Sequence, residues 1–352
     1  MYKRFGRSAY ISTFEQHLDS FITNERSEYD VFTSFHIGEE IEALQQQYAT
    51  KAIEFIQFFH HAKYRIIADI SPRTYAALNV KGFDEFIRTY PVDVVRPDFG
   101  FTIDELLHMA SLVPLMLNAS MLDIDQWTQL HHTKATSALH NFYPRPETGL
   151  DDALFASLNQ RLSELSIPVH AFVKGGEPFR GPLHLGLPTL ERHRHASTYA
   201  SAVDLWWNFG IESVIVGDIG ILPQDQQWID HVLQTGQLIV PIALEKDYQH
   251  LHQTTFTIRI DSPSWAMRFV ESRQYATMGP QVVPASAQPR GVGCLTIDNN
   301  LYGRYSGEIQ LIRHALPADE RVNVIGQIDP VHQLLLQCIT NGSKITLFNT
   351  NQ

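Results

Sequence analysis

The chain has 352 residues, more than the ~250–300 at which one hydrophobic core usually stops growing, so we expect two domains. An apolar fraction of 44% and a charged fraction of 18% are typical of a globular enzyme and exclude a disordered chain. The formal charge of -11 disfavours nucleic acid and membrane partners, because an acidic surface repels phosphate groups.

The two cysteines, Cys294 and Cys338, are too few for a disulfide framework or a thiolate zinc site. The first residues contain no apolar stretch typical of a secretory signal, and no apolar run approaches the ~18 residues of a membrane span. These features together predict a protein of a reducing compartment, the cytoplasm.

Short apolar runs alternate with amphipathic stretches from Phe5 to about Leu244. The predicted strands are Arg7–Ile11, Asp30–Phe35, Arg65–Asp69, Val94–Asp98, Pro114–Asn118, Ala138–Phe142, Val169–Val173 and Ser213–Gly217. Helical spacing of apolar residues predicts helices at Gln45–His60, Asp151–Leu165 and Ser197–Phe209. Eight strand–helix units of this size predict an α/β fold, a (β/α)8 TIM barrel, over residues 1–244.

A doubly wound open sheet is the alternative, but it usually carries a glycine-rich phosphate turn after an early strand, and this sequence has none. The sequence therefore predicts no cofactor. After Val240-Pro241, strand-like runs separated by turn residues predict a small β-barrel over residues 245–352. These runs are Phe256–Ile260, Gly293–Ile297, Tyr305–Ile312, Val322–Ile328 and Lys344–Phe348.

Polar residues follow the later strands of the predicted barrel, where the active site of this fold lies. In chain order they are Asp69, Asp98, Asn118, the segment His140–Gly149 with Glu147, the segment Lys174–Pro182 with Arg180, and Asp218. Several carboxylates at one pocket suit cleavage of a glycosidic bond, in which one carboxyl protonates the leaving oxygen and another acts as nucleophile or base. Asp69, Asp98 and Glu147 are the predicted catalytic residues.

Structural roles compete with these predictions. An Asp at a strand end can cap the next helix, and His140 can be a core histidine bonded to a neighbour. A metal site of His140, Asp98 and Asp69 is disfavoured, because no local ligand pair supports it, so the sequence predicts no metal. Lys174 is the one rim lysine that would suit Schiff-base chemistry in an enzyme of another class.

Several motifs resemble the 6-phospho-N-acetylmuramidase family. The most specific is His140-Asn-Phe-Tyr-Pro-Arg-Pro-Glu-Thr-Gly149, and Ala68–Pro72, Gly181-Pro182 and Gly186–Arg194 are similar to that family as well. In the second domain the resemblance continues at Thr296–Asn299, Tyr302–Tyr305 and Arg321–Gly326, and it covers nearly the whole chain.

The resemblance implies a TIM barrel followed by a cyclophilin-like β-barrel. It also implies a cytoplasmic hydrolase that cleaves a phosphorylated amino-sugar disaccharide during cell-wall recycling. Arginine is suited to binding the phosphate. We expect the second domain to contribute one or more arginines over the barrel mouth, with Arg290 as the first candidate. The residues expected to bind substrate are Asn118, His140, Asn141, Tyr143, Arg145, Arg180, Asp218, Arg290 and Arg304.

Two segments depart from the family pattern. Ser8–Glu15 lacks the Pro-Glu pair of the family's first turn, and Lys174–Glu177 lacks its usual polar residues. Two alternatives therefore stay open: an enzyme that acts on a different 6-phosphoglycoside, or a non-catalytic protein that binds a phosphosugar. The oligomeric state, the stereochemical outcome and a possible part for the substrate's N-acetyl group stay open.

Overall fold

The computed structural model describes residues 3–22, 29–121, 129–130, 136–272 and 279–351. The chain forms two compact units, one of residues 1–194 with 205–222 and the other of residues 195–204 with 223–352. Among the described residues, no helix is both long and apolar enough to cross a membrane.

The first unit is built on a sheet of eight parallel strands. They are β1 Arg4–Ser8, β2 Tyr29–Ser34, β3 Arg65–Ile70, β4 Val94–Pro97, β5 Met116–Asn118, β6 Ser137–Leu139, β7 Val169–Val173 and β8 Ser213–Val216. Their order in the sheet is β4-β3-β2-β1-β8-β7-β6-β5. A parallel bridge between Val95 and Leu115 joins β4 to β5, so the sheet closes on itself as a TIM barrel.

Helices follow the strands along the chain. They are α1 Leu18–Ile22, α2 Gly38–Leu44, α3 Tyr48–His61, α4 Pro72–Ala77, α5 Phe83–Thr89, α6 Ile103–Leu112, α7 Asp152–Glu164, α8 Thr198–Asn208 and α9 Pro223–Thr235. Local chemistry sets several of their starts. The side chains of Thr102 and Glu105 form a reciprocal capping box on α6, and Asp151 accepts from the amide of Leu154 at the start of α7.

Apolar side chains fill the barrel interior. Seven strands each contribute one buried residue to a single cluster: Phe32, Ile67, Val94, Met116, Leu139, Phe172 and Ile215. At the N-terminal end of the strands, the fully buried Asp30 pairs with Arg4 at 3.0 Å and Arg65 at 2.8 Å. That end of a TIM barrel serves stability, and the opposite end carries the polar residues considered below.

The second unit contains a sheet of seven strands. They are β9 Leu238–Leu244, β10 Thr255–Thr257, β11 Ala266–Arg268, β12 Cys294–Asp298, β13 Ile309–Ile312, β14 Val322–Gln327 and β15 Lys344–Asn349, in the order β10-β15-β9-β14-β12-β13-β11. An antiparallel bridge between Ile258 and Phe269 links the two ends of this sheet, which makes the unit barrel-like. A short helix, α10 at Leu335–Cys338, precedes β15.

The start of the second sheet differs from the sequence-based boundary at residue 244. That boundary left Leu238–Leu244 in the first domain, but the structure pairs this strand in parallel with β15, from Leu238 opposite Ile345 to Ile242 opposite Asn349. The pairing joins residues about a hundred positions apart in the chain. The apolar run of β9 carries no local sign of this partner, and by itself it reads like one more barrel strand.

Candidate functional site

Asp69 and Arg96 occupy adjacent positions at the C-terminal ends of the barrel strands. Ser34 of β2, Asp69 of β3 and Arg96 of β4 are aligned in register across the sheet. The helix after β3 begins at Pro72 with Ser71 as its N-cap residue, so Asp69 does not cap it. The carboxylate of Asp69 is instead directed to the side chains around it.

Arg96 forms hydrogen bonds with three of the predicted site residues, Asp69, Asp98 and Asn141. Its Nη1 donates to Asp69 Oδ1 at 2.6 Å and to Asp98 Oδ1 at 3.2 Å, and its Nη2 donates to Asn141 Oδ1 at 2.6 Å. The guanidinium is nearly fully buried. This buried cation helps to lower the pKa of Asp98. We call Asp69, Asp98, Arg96, Asn141 and His36 the rim cluster.

His36 completes the rim cluster from the end of β2. Its Nε2 lies 3.5 Å from Asp98 Oδ2 and 3.9 Å from Asp69 Oδ2, and its Nδ1 lies 3.3 Å from Ser34 Oγ. Burial lowers the pKa of His36, but the hydrogen bond to Asp98 and the charges of both aspartates outweigh it, so the pKa is raised. The pKa of Asp98 is correspondingly lowered: burial raises it, and His36 and Arg96 reverse that effect.

The donor atoms of His36, Asp69 and Asp98 lie within 4.8 Å of one another, a spacing that can hold a metal ion. Arg96, however, already donates to one oxygen of each carboxylate. A second cation beside this guanidinium would be repelled, and the charge of the two carboxylates is already partly balanced. We therefore assign no metal to the rim cluster.

Glu40 and Arg180 form a second group at this end of the barrel. Glu40, in α2, is only 7% exposed, and burial raises the pKa of its carboxyl to about 7 against the opposing effects of Arg180 and of hydrogen bonds from Ile11 and Ser12. The guanidinium of Arg180 lies over the ring of Tyr10, 4.1 Å from its centroid.

Asp218 holds the segment that carries Arg180. Its carboxylate accepts from the amides of Gly175 at 2.9 Å, Arg180 at 3.0 Å and Leu187 at 3.1 Å. Burial raises the pKa of Asp218, and these three hydrogen bonds offset part of the shift. Asp218 is therefore an internal anchor between the loops after β7 and β8, and it positions Arg180 through the backbone.

A cleft of about 410 Å³ opens beside these groups. Its lining includes Arg180, Phe142 and the first residues of α2, and consists of Ile37, Gly38, Glu39, Glu42, Phe142, Pro144, Arg180, Gly181 and Pro182. Two of the lining residues, Ile37 and Phe142, directly follow the rim-cluster residues His36 and Asn141 in the chain. Its volume is within the range of small-molecule sites.

His140 is a buried structural residue. Its Nε2 lies 2.8 Å from Asn159 Oδ1, and its Nδ1 lies 3.2 Å from Ser120 Oγ, which also accepts from the amide of Asn141. Burial lowers the pKa of His140 to about 4. The ring is therefore neutral at physiological pH and fixes the start of the motif, so the structure places it in the core and not in contact with the cleft.

The rest of the His140–Gly149 motif is held by two residues of a second motif, Gly186–Arg194. The buried Arg194 donates to the carbonyls of Tyr143, Arg145 and Gly186, at 3.0, 3.3 and 3.2 Å. Its partner Glu191, whose pKa the hydrogen bond from Arg194 lowers to about 2, accepts from the amides of Glu147 and Gly149. Much of this motif therefore shapes a loop.

Glu147 shares no contact with Asp69 or Asp98 among the described residues. Its side chain is exposed, its backbone has a φ of 62°, and no hydrogen bond or ion pair of the described residues joins its carboxylate to Asp69 or Asp98. Arg145 is likewise exposed. Asn118 accepts through Oδ1 from the amides of Ser120 and Met121, an arrangement that shapes the turn after β5.

Arg290 and Arg304, the two arginines of the second domain that the sequence analysis selected, make contacts with residues of their own unit. Arg290 donates through Nε to the carbonyl of Pro317 at 2.9 Å, and its backbone pairs with Leu316. Arg304 is exposed and lies over the ring of Tyr305, 5.1 Å from its centroid. The role of either arginine over the barrel mouth stays a prediction.

Sequence reasoning missed His36, Arg96 and Glu40. His36 directly follows a predicted strand, and the strand-end rule that selected Asp69 would also have selected it. Arg96 belongs to the strand body, where a charged residue in an apolar run signals a buried partner. Glu40 belongs to an acidic run that looks solvated, and only the fold shows that its carboxyl is enclosed.

Comparison with known proteins agrees with this architecture. The profile of the 6-phospho-N-acetylmuramidase N-terminal domain matches residues 5–230, and that of the C-terminal domain matches residues 239–348. A crystal structure of a conserved Enterococcus faecalis protein of unknown function is 30% identical, with a TM-score of 0.84 over 99% of this chain and 97% of that one. An uncharacterized B. cereus protein is 23% identical, with a TM-score of 0.76 over 99% of this chain and 100% of that one.

A search of curated proteins found no match. The two profiles nevertheless cover both structural units, and their name denotes a glycosidase of a phosphorylated amino sugar. The chain belongs to the 6-phospho-N-acetylmuramidase family.

Proposed function

We propose that the protein hydrolyses a disaccharide of 6-phosphorylated N-acetylmuramic acid and N-acetylglucosamine, and releases the two sugars. The observation that carries the proposal is the pair Asp69 and Asp98, bridged by Arg96 at the C-terminal end of the barrel. Ionised carboxylates at this position can act as nucleophile, as base toward water, or as a stabiliser of the oxocarbenium-like transition state.

The two aspartates differ in their exposure to solvent. The side chain of Asp98 is 28% exposed, whereas that of Asp69 is 9% exposed and makes the shorter bond to Arg96. Asp98 is therefore better placed to touch a substrate, and Asp69 to orient Arg96. Glu147, exposed on its loop, stays a third candidate for contact with the sugar.

Arg180 is our candidate for the sugar phosphate. It is a cation in the wall of the cleft, its backbone is anchored by Asp218, and its guanidinium lies over the ring of Tyr10. A guanidinium held in this way offers parallel N–H donors to a phosphate without a large loss of side-chain entropy. The charge of Arg180 acts on the nearby carboxyl of Glu40 and opposes the rise of its pKa.

The cellular role follows from the phosphate. A 6-phosphorylated disaccharide of cell-wall origin would arise during uptake by a phosphotransferase transporter, so the enzyme would act in the cytoplasm in cell-wall recycling. The cyclophilin-like character of the second domain, and a contribution of Arg290 or Arg304 to the substrate, belong to the same proposal.

The experiment compares the phosphorylated and the unphosphorylated disaccharide by mass spectrometry of the products. The variants are Asp98→Asn, Asp69→Asn and Glu147→Gln, with the exposed Asp104→Asn of α6 as the matched control. We expect cleavage of the phosphorylated compound, a loss of at least 10²-fold in Asp98→Asn and no change in the control. Binding of the phosphorylated disaccharide without cleavage would refute hydrolysis.

A second pair of variants tests the phosphate subsite. Arg180→Met should raise KM for the phosphorylated disaccharide, whereas Arg161→Met, at an exposed arginine of α7, should not. An equal KM for the phosphorylated compound in Arg180→Met and wild type would remove Arg180 from the phosphate subsite.

A further inference from the structure

We propose that His36 is the general acid of this site: its Nε2–H protonates the leaving-group oxygen of the glycosidic bond. The proposal rests on the hydrolytic function proposed above and assigns a role that the sequence analysis left to one of three carboxyl groups. The geometry that supports it is the position of two basic side chains around Asp69 and Asp98: Arg96 contacts one oxygen of each carboxylate, and His36 faces the other.

Arg96 and His36 bind opposite oxygens of the same two carboxylates. Arg96 takes Oδ1 of both aspartates, and the His36 Nε2 faces Oδ2 of both. With two negative charges and one guanidinium, the cluster has a net charge of -1, and a proton on His36 brings it to zero. The charged groups that face His36 are thus Asp69 and Asp98, which favour the imidazolium, and Arg96, which opposes it.

Neither aspartate is suited to supply the proton. The permanently charged Arg96 donates to both carboxylates and helps to lower the pKa of Asp98, and the side chain of Asp69 is only 9% exposed. A general acid must instead hold its proton in the resting enzyme and release it at a pH near neutrality. Within the rim cluster, an imidazole next to two carboxylates has these properties.

The proton of His36 is available to a substrate. Its Nε2 lies 3.5 and 3.9 Å from the two Oδ2 atoms, which is longer than the 2.7–3.2 Å of a full N–H···O hydrogen bond. The imidazole is partly exposed, its edge packs on the half-exposed ring of Phe99, and the next residue, Ile37, lines the cleft. Contacts of this length can shorten when a substrate binds.

Glu40 is the competing acid at this end of the barrel. Its Oε2 is enclosed without a hydrogen-bond partner among the described residues, and its carboxyl also receives hydrogen bonds from Ile11 and Ser12. A carboxyl enclosed in this way beside Arg180 has no open approach for a glycosidic oxygen. We therefore assign Glu40 to the environment of Arg180 and the proton to His36.

The proton on His36 Nε2 moves to the glycosidic oxygen while the electron pair of the bond between that oxygen and the anomeric carbon passes to the oxygen. N-acetylglucosamine then leaves as a neutral alcohol, and His36 is left as neutral imidazole. A water molecule supplies the hydroxyl group that completes the anomeric carbon, and its proton is returned, through an aspartate or directly, to His36.

The test compares two substrates that differ only in their leaving group. One is the phosphorylated disaccharide, and the other is the dinitrophenyl glycoside of 6-phospho-N-acetylmuramic acid, whose phenolate leaves without protonation. His36→Gln should lower kcat/KM for the disaccharide by about 10²–10⁴-fold and for the dinitrophenyl glycoside by less than about tenfold. His108→Gln, an exposed histidine of α6, is the matched control and should change neither.

A measurement on the unmodified enzyme supports the test if His36→Gln does not fold. The pH profile of kcat/KM for the disaccharide should fall on the alkaline side as His36 loses its proton, and this limb should be absent for the dinitrophenyl glycoside. Equal losses on both substrates in a folded His36→Gln, or identical alkaline limbs for the two, would overturn the assignment. If the wild type cleaves neither compound, the proposed function itself fails.

Discussion

Replacement of Arg96 by methionine tests whether the rim cluster depends on a buried cation. Arg96→Met keeps most of the side-chain volume but removes hydrogen bonds of 2.6 Å to Asp69, 3.2 Å to Asp98 and 2.6 Å to Asn141. The two carboxylates would then face each other with His36 as their remaining cation in the cluster. Removal of one partner from a buried ion pair typically costs about 3–5 kcal/mol.

The expected size of the effect is measurable in a unit of this length. At about 2–4 °C per kcal/mol for units of 150–250 residues, the barrel transition should fall by roughly 6–20 °C at pH 7. The loss of Arg96 also raises the pKa of Asp98 relative to wild type, in which His36 and Arg96 lower it. The deficit should therefore be largest near neutral pH and shrink as Asp98 is protonated at lower pH.

Calorimetry and urea unfolding at pH 7 and at pH 4.5 provide the measurement. The control is the triple variant Arg96→Met with Asp69→Asn and Asp98→Asn, which removes the unpaired charges and should recover most of the lost stability. A deficit below about 1 kcal/mol, or a triple variant as unstable as Arg96→Met, would refute the electrostatic explanation.

Three further predictions concern Glu40, His140 and Asp30. Glu40→Gln should gain stability relative to wild type as pH rises from about 4.5 to 7, because the folded-state pKa of Glu40 is raised to about 7 and its ionisation opposes folding in that window; urea titrations across this range would show it. His140→Phe should lose about 1–3 kcal/mol, because Ser120 and Asn159 lose their partner, yet leave the pH profile of the remaining activity unchanged; a shifted profile would contradict the structural role. Asp30→Asn should lose about 1.5–3 kcal/mol with unchanged KM, because its ion pairs lie at the N-terminal end of the barrel.

Most barrel strands could be predicted from the sequence because each is short, apolar and bounded by turn residues. Val169–Val173 agrees to the residue, and several others agree within one or two positions. The first strand was predicted too late: it occupies Arg4–Ser8, and a turn in which the Thr13 amide bonds the carbonyl of Tyr10 takes the chain out of the sheet. The three-residue strand Ala266–Arg268 was missed because so short a run has no periodicity.

Assignment of residues to the site was less complete than assignment of the fold. The strand-end rule selected Asp69 and Asp98, and the structure brings both to Arg96. It also selected Asp218, which proved to be an anchor for three amides, and the motif His140–Gly149, much of which serves loop geometry. The sequence alone does not show whether a polar residue at a strand end faces the cleft or the adjoining loops.

The sequence by itself determined the strand and helix pattern, the presence of two domains and the end of the barrel at which polar residues collect. These properties depend on local periodicity and on the side-chain chemistry of neighbouring residues. Only the tertiary structure decided that β9 joins the second sheet, that His36 and Arg96 share the carboxylates of Asp69 and Asp98, and that His140 is neutral in the core. Each of these depends on burial and on contacts between residues far apart in the chain, and the energy of a charged group is set by those contacts and not by its position in the sequence.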